Sequence, residues 1–148
     1  MKKKDCLVCA GVVILLLGVM LFRFTWIIVQ VGGTSMEPTL RDGSFVVAKR
    51  GADINRNDIV FIQTAENSLI VKRVIAVAGD DVIVTENAVY VNGVLTDTLQ
   101  NCRNGNFYQH IQVPNASVYV LGDNRLSSED SRSYGCIALR QVIGVALA

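Results

Sequence analysis

The sequence predicts a mainly β fold in which a single N-terminal transmembrane helix precedes a compact antiparallel β domain. Three features of the chain support this prediction. Residues 6–22 form one run without a charged side chain. The chain after it alternates short apolar runs with turn residues, a pattern typical of short strands. Helical periodicity is hard to find outside the N-terminal run.

Composition narrows the class of protein. The chain has 148 residues, of which 51% are hydrophobic and 18% charged, and its net charge is +1. This length is enough for one domain. A nucleic-acid-binding protein normally carries a basic surplus, so near-neutrality argues against a nucleic acid as partner.

The run at residues 6–22 is predicted to be an uncleaved membrane anchor. As a helix it is ~25 Å long, close to the ~30 Å hydrocarbon core of a bilayer. A cleaved secretory signal would need an A-x-A site, and a buried core helix would not be apolar on every side. Three lysines precede the run, which indicates a cytoplasmic N-terminus. The predicted parts are residues 1–5 (cytoplasmic), 6–26 (anchor) and 27–148 (extracytoplasmic β-rich domain).

The body is predicted to contain seven to ten short strands. Residues 24–31 are β-branched and aromatic, and they fit either the end of the helix or a first strand. Glu86-Asn87 lies between two apolar runs and indicates a hairpin. The remaining strands are predicted near residues 44–48, 58–62, 69–78, 82–85, 88–91, 117–121 and 141–146.

Cysteine and histidine do not indicate a metal site. Cys6 and Cys9 lie in the anchor, while Cys102 and Cys136 lie in the body, where disulfides can form and where their pairing stays open. The single histidine, His110, has no ligand pattern and no serine or aspartate motif around it. Neither a zinc site nor a Ser-His-Asp triad is therefore predicted.

Lys72 lies in the most hydrophobic stretch of the body. In a strand it shares a face with Ile70 and Val74. If that face is buried, desolvation lowers the pKa of the lysine and leaves a neutral amine that can act as a general base. The alternative is an edge-strand lysine that blocks aggregation.

Ser35 follows two glycines in the segment Gly-Gly-Thr-Ser-Met-Glu-Pro-Thr-Leu. Glycines permit tight turns and the close approach of a ligand chain. Such a loop can expose the Ser35 hydroxyl and direct its N–H at a developing oxyanion. An ordinary turn between anchor and body is the alternative.

Residues 121–135 concentrate polar side chains between two apolar runs. Asp130 and Arg132 are two residues apart, so they can share a face and pair. The alternative is a solvated loop. This segment also contains Asp123, Arg125 and Ser128.

Together these three segments resemble the bacterial type I signal peptidases, the serine–lysine leader peptidases. Ser35 lies in a match to S-M-x-P-T, and Lys72 lies in a match to K-R-V-x-x-x-x-G-D. Residues 122–132 match G-D-N-R-x-x-S-x-D-S-R. The order of the three boxes and the preceding anchor also fit, so the resemblance covers essentially the whole chain.

The resemblance implies a membrane-bound serine endopeptidase, without metal or cofactor, that cleaves signal peptides from exported preproteins after small residues. Its partners would be preproteins that carry signal peptides and the lipid bilayer. Ser35 would be the nucleophile, with its backbone N–H as oxyanion donor, and Lys72 the general base. Ser128 would orient the Lys72 amine. The residues implied to hold this site in shape are Asp123, Arg125, Asp130 and Arg132.

The sequence departs from the family pattern beside the nucleophile. Gly33 stands where some members have a serine that donates to the oxyanion, so a second donor is required. Ala76 and Ala78 stand where many members have glycine and proline. A specialised pilus or conjugation precursor peptidase of the same family stays open, as does a non-catalytic anchored β domain. Self-cleaving repressors of the DNA-damage response would carry a helix-turn-helix, which the sequence does not indicate.

Overall fold

A computed structural model describes residues 3–98 and 107–147, with side chains from Gly11 onward. Helix α1 is the first described element, and every strand pairing in the described residues is antiparallel. The predicted mainly antiparallel β fold is confirmed. The elements in order are α1 (Lys3–Thr25), β1 (Trp26–Gln30), β2 (Phe45–Lys49), β3 (Ile59–Gln63), β4 (Leu69–Val77), β5 (Asp81–Thr85), β6 (Ala88–Val91), β7 (Val94–Thr98), β8 (Tyr108–Gln112), β9 (Ser117–Leu121), α2 (Ser131–Tyr134), β10 (Ile137–Ala138) and β11 (Val142–Ala146).

The strands form two sheets. The larger has the order β1-β2-β11-β3-β4-β9-β10, and the smaller has the order β7-β6-β5-β8. Strand β4 is nine residues long and lies between β3 and β9. A side chain in the middle of β4 therefore has a neighbouring strand on each side, which is where the sequence places Lys72.

Apolar side chains from both sheets are buried in three clusters. One joins the smaller sheet to β4 and β9, and it includes Tyr119 and Leu121. Another lies on the larger sheet around Val60 and Val74. The last surrounds Phe61 and Met36. Full burial of one such side chain contributes roughly 1.5–3 kcal/mol, so Met36 firmly anchors the segment that contains Ser35.

The junction between helix and body resolves the ambiguity at residues 24–31. Helix α1 ends at Thr25, one residue before the predicted end of the anchor, and β1 begins at Trp26. Strand β1 pairs with β2 from Trp26 opposite Lys49 to Gln30 opposite Phe45, and this pairing satisfies the backbone groups of β2 that would otherwise form an open sheet edge. Among the described residues we find no helix with both the length and the apolar character needed to cross a membrane.

The described residues contain eleven strands, more than the predicted seven to ten. Strands β7 and β8 are the two edges of the smaller sheet, and most of their side chains are exposed. Because few apolar side chains are needed at such edges, local hydrophobicity does not reveal them. Strand β10 has only two residues, too short for any periodic pattern.

Of the two cysteines and the histidine of the body, Cys136 and His110 lie within the described residues. Cys136 is a half-buried free thiol, and burial raises its pKa. Cys102 lies outside the described residues, and so does its pairing with Cys136. His110 lies on β8, with its Nε2 atom 2.7 Å from Asp81 Oδ1 on β5.

Candidate active site

The segment that carries Ser35 connects β1 to β2. It turns tightly, because Glu37 N–H donates to the Thr34 carbonyl at 3.1 Å. Gly33 has a φ of +83°, a conformation that L side chains rarely adopt, and its N–H donates to Asp42 Oδ1 at 2.8 Å. With Met36 buried in the core, the turn leaves the Ser35 side chain half-buried and in a defined place.

Lys72 lies in the middle of β4, opposite Val60 of β3. It shares its face with Ile70 and Val74, as the alternation predicts, and it is only 4% exposed. A hydrogen bond of 2.8 Å joins Lys72 Nζ to Ser35 Oγ. Two residues that are 37 positions apart in sequence thus place an amine and a hydroxyl in direct contact.

Burial sets the protonation of this amine. Desolvation lowers the pKa of Lys72, because the charged form loses more from leaving water than the neutral form does. The carboxylate of Asp130 acts in the opposite direction, Arg132 adds to the lowering, and Glu129 opposes it. Desolvation outweighs the opposing charges, so the pKa lies below the ordinary value for lysine.

Asp130 and Arg132 form a buried, two-point ion pair behind this site. Arg132 Nε and Nη2 each donate to an Asp130 carboxylate oxygen at 2.8 Å, and the two side chains are 0% and 2% exposed. Burial alone would raise the pKa of Asp130, but hydrogen bonds from Arg132 and from the Gly122 N–H lower it. The Asp130 carboxylate also caps α2 through the Arg132 N–H.

The chain is similar in sequence to known signal peptidases. A family model for "Signal peptidase, peptidase S26" matches residues 5–148. The chain is 30% identical to signal peptidase I V of Bacillus subtilis strain 168, across 97% of this chain and 96% of the relative. It is 33% identical to signal peptidase IB of Staphylococcus aureus strain COL, across 76% of this chain and 71% of the relative. The chain belongs to the S26 signal peptidase family.

A solved structure agrees with this assignment. The crystal structure of a signal peptidase I from Enterococcus faecalis V583 superposes with a TM-score of 0.54 at 28% sequence identity. The match covers 66% of this chain and 98% of that one. The family resemblance identified from the three sequence boxes is thus confirmed.

Ser128 does not make the hydrogen bond that the sequence analysis expects in this S26 peptidase. Its Oγ atom is buried, and no hydrogen bond joins it to Lys72 Nζ. Ser128 instead packs against Gly122, where an added Cβ would lie 2.2 Å from Ser128 Oγ and 2.6 Å from the Ser35 carbonyl oxygen. The backbone of Ser128 is extended, with a φ of −129° and a ψ of 127°.

Asp123 and Arg125 have partners that the sequence did not reveal. Arg73, next to Lys72 on β4, donates to both carboxylate oxygens of Asp123 at 2.8 and 2.6 Å. Burial would raise the pKa of Asp123, but this arginine lowers it. Arg125 donates to the Gly122 carbonyl and to Asp97 on β7 of the smaller sheet.

Backbone groups complete the surroundings of Ser35. Asn124 N–H donates to the Ser35 carbonyl at 3.0 Å, which ties residues 122–125 directly to the Ser35 turn. No described residue accepts a hydrogen bond from the Ser35 N–H, so this donor stays available. The Thr34 and Ser127 hydroxyl oxygens are 3.4 Å apart. Sequence reasoning missed these contacts; the glycine and the short polar residues of the third box are the only local signal for them.

Proposed function

We propose that this S26 signal peptidase cleaves with Ser35 as nucleophile and Lys72 as general base. The observation that carries the proposal is the 2.8 Å contact between Lys72 Nζ and Ser35 Oγ, with the amine almost wholly buried. A buried amine with a lowered pKa is neutral in a larger fraction of molecules, so it can accept the hydroxyl proton.

The proposed reaction has two steps. Ser35 Oγ attacks the scissile carbonyl carbon while Lys72 takes its proton, and the resulting ammonium then protonates the leaving amine as the peptide bond breaks. Water next attacks the acyl-enzyme ester, Lys72 takes a proton from that water, and Ser35 Oγ leaves with it. The Ser35 N–H is one oxyanion donor, and a second donor is needed because Gly33 has no side chain.

The neighbouring polar side chains have supporting roles in this proposal. The ion pair of Asp130 and Arg132 fixes the conformation of residues 122–132. Asp123 fixes the same segment through its two hydrogen bonds from Arg73. Arg125 acts on the same segment through Gly122. Ser128 packs beside Gly122, and its orienting role on Lys72 would require a rotation of its hydroxyl during the reaction.

The proposed substrates are exported preproteins with small residues at the first and third positions before the cut. They would bind as an extended strand along an edge of the sheet. We expect the full chain to cleave such a precursor at one bond, located by mass spectrometry. Replacing the alanine before the cut with leucine in the substrate should suppress cleavage. Cleavage after large residues, or none, would contradict the assignment.

Residues 6–26 are proposed to anchor the enzyme in the membrane, with the N-terminus cytoplasmic and the peptidase domain extracytoplasmic. Support comes from the uncharged run and from its exposed side chains, among them Leu15, Leu16 and Leu21. On alkaline extraction of membranes, we expect the full chain to stay in the pellet, and external protease to digest the domain. Recovery in the supernatant would refute the anchor.

Activity is expected to rise with pH through the lowered pKa of Lys72. Only the neutral amine accepts a proton, so kcat/KM climbs as the ammonium deprotonates and reaches its plateau below the ~10.4 of an ordinary lysine. Because the charge of Glu129 raises this pKa, Glu129→Gln should move the rise to lower pH. A flat profile from acid to alkaline pH would count against Lys72 as the base.

A further inference from the structure

We infer that Asp97, on the smaller sheet, is a positioning residue for the reaction. It would hold Arg125, and through Arg125 the Gly122 backbone, against the Ser35 turn. This inference rests on the proposed function of Ser35 and Lys72. It gives the smaller sheet a role in positioning the site for cleavage, whereas all three sequence boxes lie on or beside the larger sheet.

The first support is the ion pair itself. Arg125 Nε donates to Asp97 Oδ2 at 3.1 Å, and Arg125 Nη2 contacts the same oxygen. The arginine side chain is 14% exposed and the aspartate side chain 33%, so solvent screens the pair less than it screens a surface pair. This pair joins β7 directly to the segment beside the nucleophile.

The second support is the local structure of β7. Leu95 pairs with Tyr90 and Asp97 pairs with Val89, so Thr96 is an extra residue in the strand. A bulge of this kind redirects the side chains that follow it. Asp97 is the only half-buried residue of β7, whose other side chains are exposed. The strand thus turns one acidic side chain inward, toward Arg125.

The third support is the pair of hydrogen bonds that Arg125 makes with Gly122 and Arg132. Its Nη1 atom donates to the Gly122 carbonyl, and its own carbonyl accepts from Arg132 Nη2 at 2.8 Å. The Gly122 N–H donates to Asp130 at 3.1 Å. The carbonyl of Gly122 is therefore bound by Arg125, which pairs with Asp97, and its N–H is bound by Asp130 of the buried ion pair.

A small displacement of the Gly122 backbone would shift the Ser35 turn, which contains one of the reacting groups. Even one added carbon at Gly122 would lie within 2.6 Å of the Ser35 carbonyl, so this backbone is in close contact with the Ser35 turn. Release of the Gly122 carbonyl would let the segment move away from Ser35 and Lys72. Misplacement of reacting groups by about 1 Å can cost ~100-fold in rate.

The test compares full-length Asp97→Ala, Asp97→Asn and Asp97→Glu with the wild type, using kcat, KM and the pH profile on one precursor. We expect Asp97→Ala and Asp97→Asn to lower kcat by about tenfold or more with little change in KM. Their rise in activity should also move to higher pH, because a looser segment admits water to Lys72. Asp97→Glu keeps the charge and should restore most of the activity.

Asp81→Asn is the matched control, since Asp81 pairs with His110 on the same sheet and is half exposed. It should keep wild-type kcat and the wild-type pH profile. A double variant Asp97→Ala/Arg125→Ala should be no slower than Arg125→Ala alone, because both changes break one connection. Wild-type kcat and pH profile in Asp97→Ala, or losses that simply multiply, would overturn the inference.

Ser35→Ala in the same assay separates this inference from the proposed function. If Ser35→Ala still cleaves, the proposed nucleophile is wrong whatever Asp97 does. If Ser35→Ala is inactive and Asp97→Asn matches the wild type, only the positioning role fails. Should Asp97→Ala not fold, Asp97→Asn and Asp97→Glu decide, because both keep the shape of the side chain closely enough to pack.

Discussion

Lys72→Met is expected to lose precursor cleavage by about 10³-fold or more while the protein stays folded. The variant removes the only group within hydrogen-bond reach of Ser35 Oγ among the described side chains, so the hydroxyl keeps its proton. Methionine has similar length and suits a buried site, and the cost of burying an amine disappears. We therefore expect a melting temperature at least equal to that of the wild type.

Three further variants make this prediction specific. Ser35→Ala should lose activity to the same extent, because nucleophile and base act as one unit. Lys72→His should not restore cleavage, since the shorter ring does not reach along the same path. Lys49→Met is the control: Lys49 is an exposed residue of β2 in the same sheet, and the variant should keep full activity. Retained cleavage in Lys72→Met or Ser35→Ala would refute the dyad.

Asp130→Ala is expected to lower the free energy of unfolding by about 3–5 kcal/mol. The change leaves Arg132 charged and buried without the carboxylate that binds it at two points, and it also frees the Gly122 N–H. Small domains are stable by only about 5–15 kcal/mol, so this loss is a large share. Urea unfolding of the full chain measures it.

The exposed pair formed by Asp81 and His110 is the matched comparison. Asp81→Ala should cost no more than about 1 kcal/mol, because water screens a half-exposed pair. Asp130→Asn should fall between the two alanine variants, since the amide keeps one acceptor for Arg132. If Asp130→Ala unfolds at the same urea concentration as Asp81→Ala, the buried pair does not stabilise the fold.

Local sequence was sufficient for most strands. Val82 to Thr85 and Ala88 to Val91 contain enough β-branched residues, with turn residues between them, to indicate a hairpin, and these runs pair as β5 and β6. The edge strands β7 and β8 were beyond local reasoning. Exposed edges are stabilised by pairing to a neighbour, and a neighbour in space is not visible in a strand's own residues.

For the candidate site too, the sequence indicated some residues but not the contacts between distant ones. Ser35 and Lys72 could be selected from the sequence, because each lies in a short box that resembles a motif of the signal peptidase family. The partners of the charged residues could not: Arg73 binds Asp123 across 50 positions, and Arg125 binds Asp97 across 28. The expected bond from Ser128 to Lys72 is absent because Ser128 packs against Gly122 instead.

Sequence alone therefore established the family, the β character of the body, and which serine and which lysine to consider, since these depend on residue types at short spacings. The three-dimensional arrangement decided the 2.8 Å approach of Lys72 to Ser35, the burial that lowers the lysine pKa, and the route from Asp97 to Gly122. Those properties arise from strand register and packing between distant segments. Distances and desolvation are set only when β4, the Ser35 turn and residues 122–132 come together.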